Sequence, residues 1–267
     1  MSELDELISL FSEHGVRPPS PEAIAEISVI DQAVRGTKKG LQKTLLKLET
    51  DNRSRWELGR LCSWNKFHGT QLASLPLHDD TRFTVLDLLR AVHRDRYNLV
   101  APIFEGVEGC TVEDGGIKSF PRTKSKLDIR HKLGLGDHCP DTSRVRIVVD
   151  GLVRMDEALS RLASAKSLSQ TLSPTGIFNH YGLAVQKKYD TPFRSVNIVF
   201  CGIHKGDVID RIATEVQLMT RRVRAVTELD HAFIIAKTLR CSRRLKKHLH
   251  SLLSKASILD FRELAGT

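Results

Sequence analysis

The run Ala213-Thr214-Glu215-Val216-Gln217-Leu218-Met219-Thr220 alternates: Val216 and Leu218 fall on one side of an extended chain, Glu215 and Gln217 on the other. A period of two over so short a run predicts a β-strand with one apolar face. A glutamate inside such a strand is disfavoured by β propensity and by desolvation, so Glu215 needs a partner or a task. The same alternation recurs at residues 144–149, where Val145, Ile147 and Val149 alternate with Arg144, Arg146 and Val148, and again at 194–200. Asp141 stands just before the first of these. An acid ahead of one strand, an arginine within it and an acid in a neighbour can hold a metal–nucleotide between them. Charges decorating a solvent-facing sheet give the same pattern, and at this level both readings stand.

Outward from these strands, residues 124–133, 155–165 and a long stretch over 220–252 read as helices. Pro174-Thr175-Gly176 and Tyr189-Asp190-Thr191-Pro192 read as turns ahead of strands, and residues 167–173 as a loop. Up to Gly115-Gly116 the chain reads as helical. Leu4, Leu7, Ile8 and Phe11 share one helical face, and Ser20-Pro21-Glu22 supplies a cap, a first-turn proline and an acid for the next helix, lined by Ala23, Ile27, Ile30 and Val34. A basic helix follows Gly36 with Leu41, Leu45 and Leu48 as its stripe, ending at Asp51-Asn52. Another starts near Thr81 and carries Val85, Leu88, Leu89, Val92 and Val100 toward Phe104. The expected architecture is α+β: a mixed sheet flanked by helices over residues 81–252, behind a helical extension over 1–80 and ahead of a tail over 253–267.

The 267 residues are 40% apolar and 27% charged, which excludes wholesale disorder and leaves ample chain for a core. No apolar run approaches a bilayer span, and Ser2-Glu3-Leu4-Asp5-Glu6 lacks the basic start of a secretory signal. Five scattered cysteines without a C-x-x-C argue against a disulfide framework or a cysteine-rich zinc site, so a cytoplasmic location and no membrane partner are expected. A formal charge of +9 favours polyanionic partners.

A further basic cluster, Arg122-Thr123-Lys124 with Lys126, Arg130 and Lys132, opens the helix at 124–133; Lys124, Asp128 and Lys132 lie along one face. Cations at a helix start suit a polyphosphate, and a charged exposed helix would look similar. The order and spacing of the segments are more specific than any one of them. The chain resembles the synthetase domain of the RelA/SpoT family, the nucleotidyltransferase-like enzymes that make the alarmone ppGpp. Arg122-Thr123-Lys124 and Lys132 match its R-x-K and the lysine eight residues on; Asp141-Thr142-Ser143-Arg144-Val145-Arg146-Ile147 is similar to D-x-x-G-x-R-I. Phe193-Arg194-Ser195-Val196-Asn197 looks like Y-R-S-x-H, Glu215-Val216-Gln217-Leu218-Met219-Thr220 looks like E-x-Q-x-R-T, and Asp230-His231 matches a following acid–His pair. The likeness spans roughly residues 85–240.

The resemblance implies a pyrophosphokinase that transfers the β,γ-pyrophosphate of ATP to the ribose 3′-hydroxyl of a guanosine nucleotide, with Mg²⁺ as cofactor. Arg122 and Arg146 would sandwich the adenine, and Lys124 and Lys132 would grip the phosphates. Asp141 and Glu215 would hold the metal, with Glu215 also activating the hydroxyl. Phe193, Arg194, Gln217 and His231 would face the acceptor. Several motif positions depart from the family: Phe193 lacks the tyrosine hydroxyl, Asn197 replaces histidine, Arg144 replaces glycine, Met219 replaces arginine and Asp128 replaces a helix serine. The donor half is retained and the acceptor half altered. Transfer to a tRNA 3′ end or an adenosine nucleotide is the alternative within the enzyme class, and a module that only binds nucleotide or RNA lies outside it. Arg221, Arg222, Arg224, Arg243 and Arg244 are the candidate RNA contacts, with a charged exposed helix as the plainer reading. His78-Asp79 resembles the His–Asp pair of metal-dependent alarmone hydrolases but has no convincing partner ligands in the sequence around it; the short chain leaves no room for a full hydrolase domain, so synthesis without breakdown is expected. Control would then fall to expression, an allosteric ligand or a neutralising antitoxin partner, and homo-oligomers are the family's habit.

Overall fold

The structure, a computed structural model, describes residues 3–13, 15–52, 82–118, 141–181, 194–203, 208–235 and 243–266, with Thr123, Ser125, Asp128 and Lys132 as isolated positions. The alternating runs become β2 (Ser143–Val149), β4 (Val196–Gly202) and β5 (Thr214–Thr220), joined by β1 (Cys110–Ile117) and β3 (Leu172–Asn179). Together they form one five-stranded sheet in the order β1-β2-β5-β4-β3. The central pair β2–β5 is parallel and the other pairings are antiparallel, so the sheet is mixed, as expected.

Alternation decides what each face does. Val145, Ile147 and Val149 of β2, Val216 and Leu218 of β5, and Val196, Ile198 and Phe200 of β4 are buried in one continuous core. Against them pack α5 (Leu152–Ser164) and α8 (Arg221–Ile235), and α9 (Arg243–Ala265) packs on those helices and shares the core. In α5 the residues Leu152, Met155, Leu159 and Leu162 recur at helical spacing and are all buried.

The N-terminal residues form α1 (Glu3–Glu13), α2 (Pro21–Ala33) and α3 (Lys38–Asp51). Ser20 caps α2 by accepting the Ala23 N–H at 3.2 Å, and Thr37 caps α3 through the Gly40 N–H at 3.2 Å. Their stripes, including Leu7, Phe11, Ile27, Ile30, Leu41 and Leu45, enter the same core as the sheet, while Lys43 and Lys47 face solvent. Polar ties reinforce the packing: Lys255 donates to Asp31 at 2.7 Å, and Glu228 accepts the Ser20 N–H at 2.7 Å. These described helices are part of the folded unit rather than an appendage to it.

Four readings of the sequence are corrected. The stretch before Gly115-Gly116 is not wholly helical, because the edge strand β1 begins at Cys110 and runs through both glycines to Ile117. Residues 167–173 are not a loop: they hold most of α6 (Lys166–Thr171) and the start of β3. Pro174-Thr175-Gly176 lies inside β3, where the register slips, and an edge strand tolerates a proline that a central strand would not. Residues 253–267 are no tail, since α9 runs to Ala265 and buries Leu253, Ala256, Ile258 and Phe261. Among the described residues, no helix is long and apolar enough to cross a membrane.

Candidate active site

Register places five side chains in one line across the polar face of the sheet. Glu113 of β1 lies opposite Arg146 of β2, which lies opposite Gln217 of β5; Gln217 lies opposite Asn197 of β4, and Asn197 opposite Phe178 of β3. Glu215 sits one pleat along on the same face, opposite Arg144. The question its burial raised is answered by its neighbours. Gln217 Nε2 donates to Glu215 Oε2 at 2.7 Å, and Asn197 Nδ2 donates to Oε1 at 2.9 Å. The acceptor ends of those amides are also engaged: Ser195 Oγ donates to Asn197 Oδ1 at 2.6 Å, and Arg146 Nε donates to Gln217 Oε1 at 3.4 Å. Both amides are therefore held with their N–H₂ groups toward the carboxylate, which suits an acceptor-only, ionised Glu215.

The row continues outward through ion pairs. Arg146 lies 3.7 Å from Glu113, and Arg224 of α8 donates to Glu113 at 2.7 Å and to Glu228 at 3.2 Å. Burial, with the like charges of Arg224 and Arg144, pushes the Arg146 guanidinium below its ordinary range. Among the described residues, Arg144 Nε is buried without a hydrogen-bond partner.

Asp141 is placed by β1. Gly115 and Gly116 form a bulge in the β1–β2 pairing. A Cβ at Gly115 would sit 2.6 Å from the Arg144 carbonyl oxygen, and Gly116 has φ +67°, so both positions require glycine. Beyond the bulge the Lys118 N–H donates to the Thr142 carbonyl at 2.8 Å, and the Lys118 ammonium contacts Asp141 Oδ2. Because Ser143 pairs with Thr214, Asp141 and Glu215 lie at the same end of the parallel pair. Behind them His93, on α4 (Arg82–Val100), lies 2.9 Å from Ser143 Oγ and 2.7 Å from Asp114 Oδ1. The geometry resembles a nucleophile relay, but Ser143 is fully buried and bonded to Thr214, so the group is an anchor. Burial opposes ionisation of Asp114, yet the His93 contact and the Gly116 N–H prevail and hold its carboxyl below the usual range.

A divalent cation fits this donor set. Asp141 already accepts a positive group, and Mg²⁺ is ordinarily held by one or two carboxylates with substrate phosphates completing the shell. Among the described residues no cluster of three or more His, Cys, Asp or Glu offers a self-sufficient metal cage.

Of the site residues expected from sequence, Arg146, Glu215 and Gln217 are joined by hydrogen bonds, and Asp141 lies at the same end of the parallel pair. Lys132 and Asp128 lie on helical backbone, both exposed. Arg122, Lys124 and Phe193, like His78-Asp79, lie outside the described residues, as do the side chains of His231 in α8 and of Arg243 and Arg244 at the start of α9. Arg194 is 2% exposed; its guanidinium lies 3.6 Å from Glu49 of α3 and donates to the His180 carbonyl at 3.3 Å. The arginines at the start of α8 are occupied by acids. Arg221 pairs with Asp150, Arg222 with Asp260 and Glu263, and Arg224 with Glu113 and Glu228. Met219 is completely buried in the core. The sequence reading missed Lys118, Glu113 and Glu49. Only Lys118 had a local signal, its place just after the paired glycines.

No family model and no curated protein matches the chain by sequence. Solved structures do match it. The small alarmone synthetase 1 of Bacillus subtilis bound to its product pppGpp superposes with a TM-score of 0.53 at 14% identity, over 70% of this chain and 96% of that one. A second crystal structure of the same synthetase gives 0.51 at 15% identity, over 70% and 97%. The chain has the small alarmone synthetase fold.

Proposed function

We propose that the protein is a Mg²⁺-dependent pyrophosphokinase that transfers the β,γ-pyrophosphate of ATP to the ribose 3′-hydroxyl of a guanosine nucleotide. One observation carries this reading. In a small alarmone synthetase fold, Glu215 and Asp141 lie at the same end of the parallel pair, with Arg146 on the neighbouring strand position.

In this reaction the 3′-oxygen attacks the β-phosphorus, the bond from that phosphorus to the α–β bridging oxygen breaks, and AMP leaves. The hydroxyl proton goes to Glu215, whose carboxylate is aimed by Asn197 and Gln217. A magnesium ion held at Asp141, with Glu215, would neutralise the charge gathering on the phosphate oxygens. Arg146, fixed by Gln217 and Glu113, presents a flat guanidinium suited to stacking on a purine or bonding a phosphate. Arg122, Lys124 and Lys132 are proposed as the donor's other cations, and Phe193 as the acceptor's stacking ring.

The test is transfer from ATP labelled in its β and γ phosphates, with GDP, GTP, AMP, ATP and bulk tRNA offered separately. Label should move to GDP or GTP, and Glu215→Gln should slow transfer roughly a hundredfold or more. Full activity in that variant would remove Glu215 as the base. Label on tRNA alone would replace the proposed acceptor.

A further inference from the structure

Lys118 is a cation that neither the strand pattern nor the motifs assign. Its position is over-determined. The Gly115-Gly116 bulge shifts the register so that Ile117 pairs with Ser143, and the Lys118 N–H then donates to the Thr142 carbonyl at 2.8 Å. That bond fixes the Lys118 backbone beside Asp141–Thr142, and the side chain closes onto Asp141 Oδ2. Both side chains are mostly withdrawn from water, 13% exposed for Lys118 and 16% for Asp141. An ammonium so placed is screened little by salt.

A carboxylate cannot hold this ammonium and a divalent cation in the same place. The two positive groups compete for one set of oxygens and repel each other across a partly desolvated space. The lysine stem is long and flexible, so its ammonium can leave the carboxylate while the backbone bond to Thr142 stays intact. A magnesium nucleotide brings phosphate oxygens to the same place as its metal, which offers the released ammonium a new anionic partner.

We propose that Lys118 is the resident counter-ion of Asp141: it occupies the carboxylate in the empty enzyme and moves onto the nucleotide phosphates when the metal–nucleotide enters. This rests on Asp141 being a metal-binding carboxylate. The consequence is an ordered site, with bare metal disfavoured and the metal–nucleotide admitted as a unit.

The experiment measures Mn²⁺ binding to the full chain without nucleotide, by paramagnetic resonance of the free ion, and metal-free ATP binding by calorimetry. Circular dichroism confirms that each variant is folded. Lys118→Met should bind Mn²⁺ roughly tenfold tighter than wild type, the lower end of the effect of an adjacent opposite charge on a carboxylate. Lys118→Arg, which keeps the charge, should stay within about threefold of wild type on the same argument. Metal-free ATP should bind Lys118→Met more weakly. Equal Mn²⁺ affinity in wild type and Lys118→Met, with binding lost in Asp141→Asn, would overturn the counter-ion role and leave the metal site standing. Mn²⁺ binding that no Asp141→Asn change affects would remove both. Unchanged ATP affinity in Lys118→Met would refute the transfer onto phosphate.

Discussion

Asp260 should make the protein less stable as pH rises toward neutrality, a sign opposite to that of most carboxylates. It is fully buried in α9, accepts the Thr220 hydroxyl at 2.6 Å and the Arg222 guanidinium at 3.0 Å, and is pushed up to about 7. Burial is the main cause, and the Glu263 charge adds to it; the Thr220 and Arg222 bonds offset it only in part. The unfolded chain ionises this group near 3.8. Between those values the folded state binds the extra proton, so stability falls as pH rises and levels off above the folded pKa. At 1.36 kcal/mol per pKa unit, the group removes about 2–3 kcal/mol between pH 5 and pH 8. Asp260→Asn cannot titrate, so whatever constant offset it introduces, it should lack this slope. Urea denaturation of wild type and Asp260→Asn across that range reads the difference. Parallel profiles would refute the argument, because they would mean that Asp260 folds ionised.

Two further substitutions test the packing around the site. Gly115→Ala drives a Cβ to 2.6 Å from the Arg144 backbone oxygen and should cost about 1–3 kcal/mol in urea denaturation, as overpacking does; wild-type stability would show that the bulge is not constrained as described. Glu49→Ala strands Arg194, 2% exposed, without its carboxylate and should cost about 3–5 kcal/mol. The double change Glu49→Leu with Arg194→Met should recover much of that loss, and a double change worse than the single would show that the pair does more than neutralise itself.

Much of this architecture was legible because period and capping are local. The strands at Ser143–Val149, Val196–Gly202 and Thr214–Thr220 announced themselves by alternation, and Pro21–Ala33 and Lys38–Asp51 by caps and stripes. The edge strands β1 and β3 were not legible. Each buries little, so Cys110–Ile117 and Leu172–Asn179 carry no clean apolar face, and their glycines and proline read as turns. In the site, Glu215 was visible because a strand glutamate is costly, and Asp141 because of its place before β2. Ser195 acts two residues along the chain, on Asn197, whereas Lys118 and Glu113 act through cross-strand register and long-range pairing, whose partners no local window contains. The partners of the arginines after β5 were illegible for the same reason: Asp150, Glu113, Asp260 and Glu263 arrive from other elements.

The departures from the synthetase motifs acquire a physical order once placed on the sheet. Asn197, where the motif has histidine, gives its N–H₂ to Glu215 and its oxygen to Ser195, so an amide of fixed polarity stands where a titratable ring would be. Met219, where the motif has arginine, is completely buried with the core, a position in which an unpaired guanidinium would be prohibitive. Arg144, where the motif has glycine, brings a guanidinium to the same face, directly opposite Glu215 on the neighbouring strand. The polar face thus carries this guanidinium on β2, beside the strand that bears the carboxylate. The N-terminal helices are mechanically part of this arrangement. Ser20 holds Glu228, which holds Arg224, and Glu49 holds Arg194 immediately before Ser195. Removing residues 1–52 would strip both ties and uncover the faces of α8 and α9 against which the N-terminal helices pack. Loss of activity on such a truncation therefore reports on folding, and the point changes at Glu49, Lys118 and Glu215 are the ones that separate support, charge compensation and chemistry.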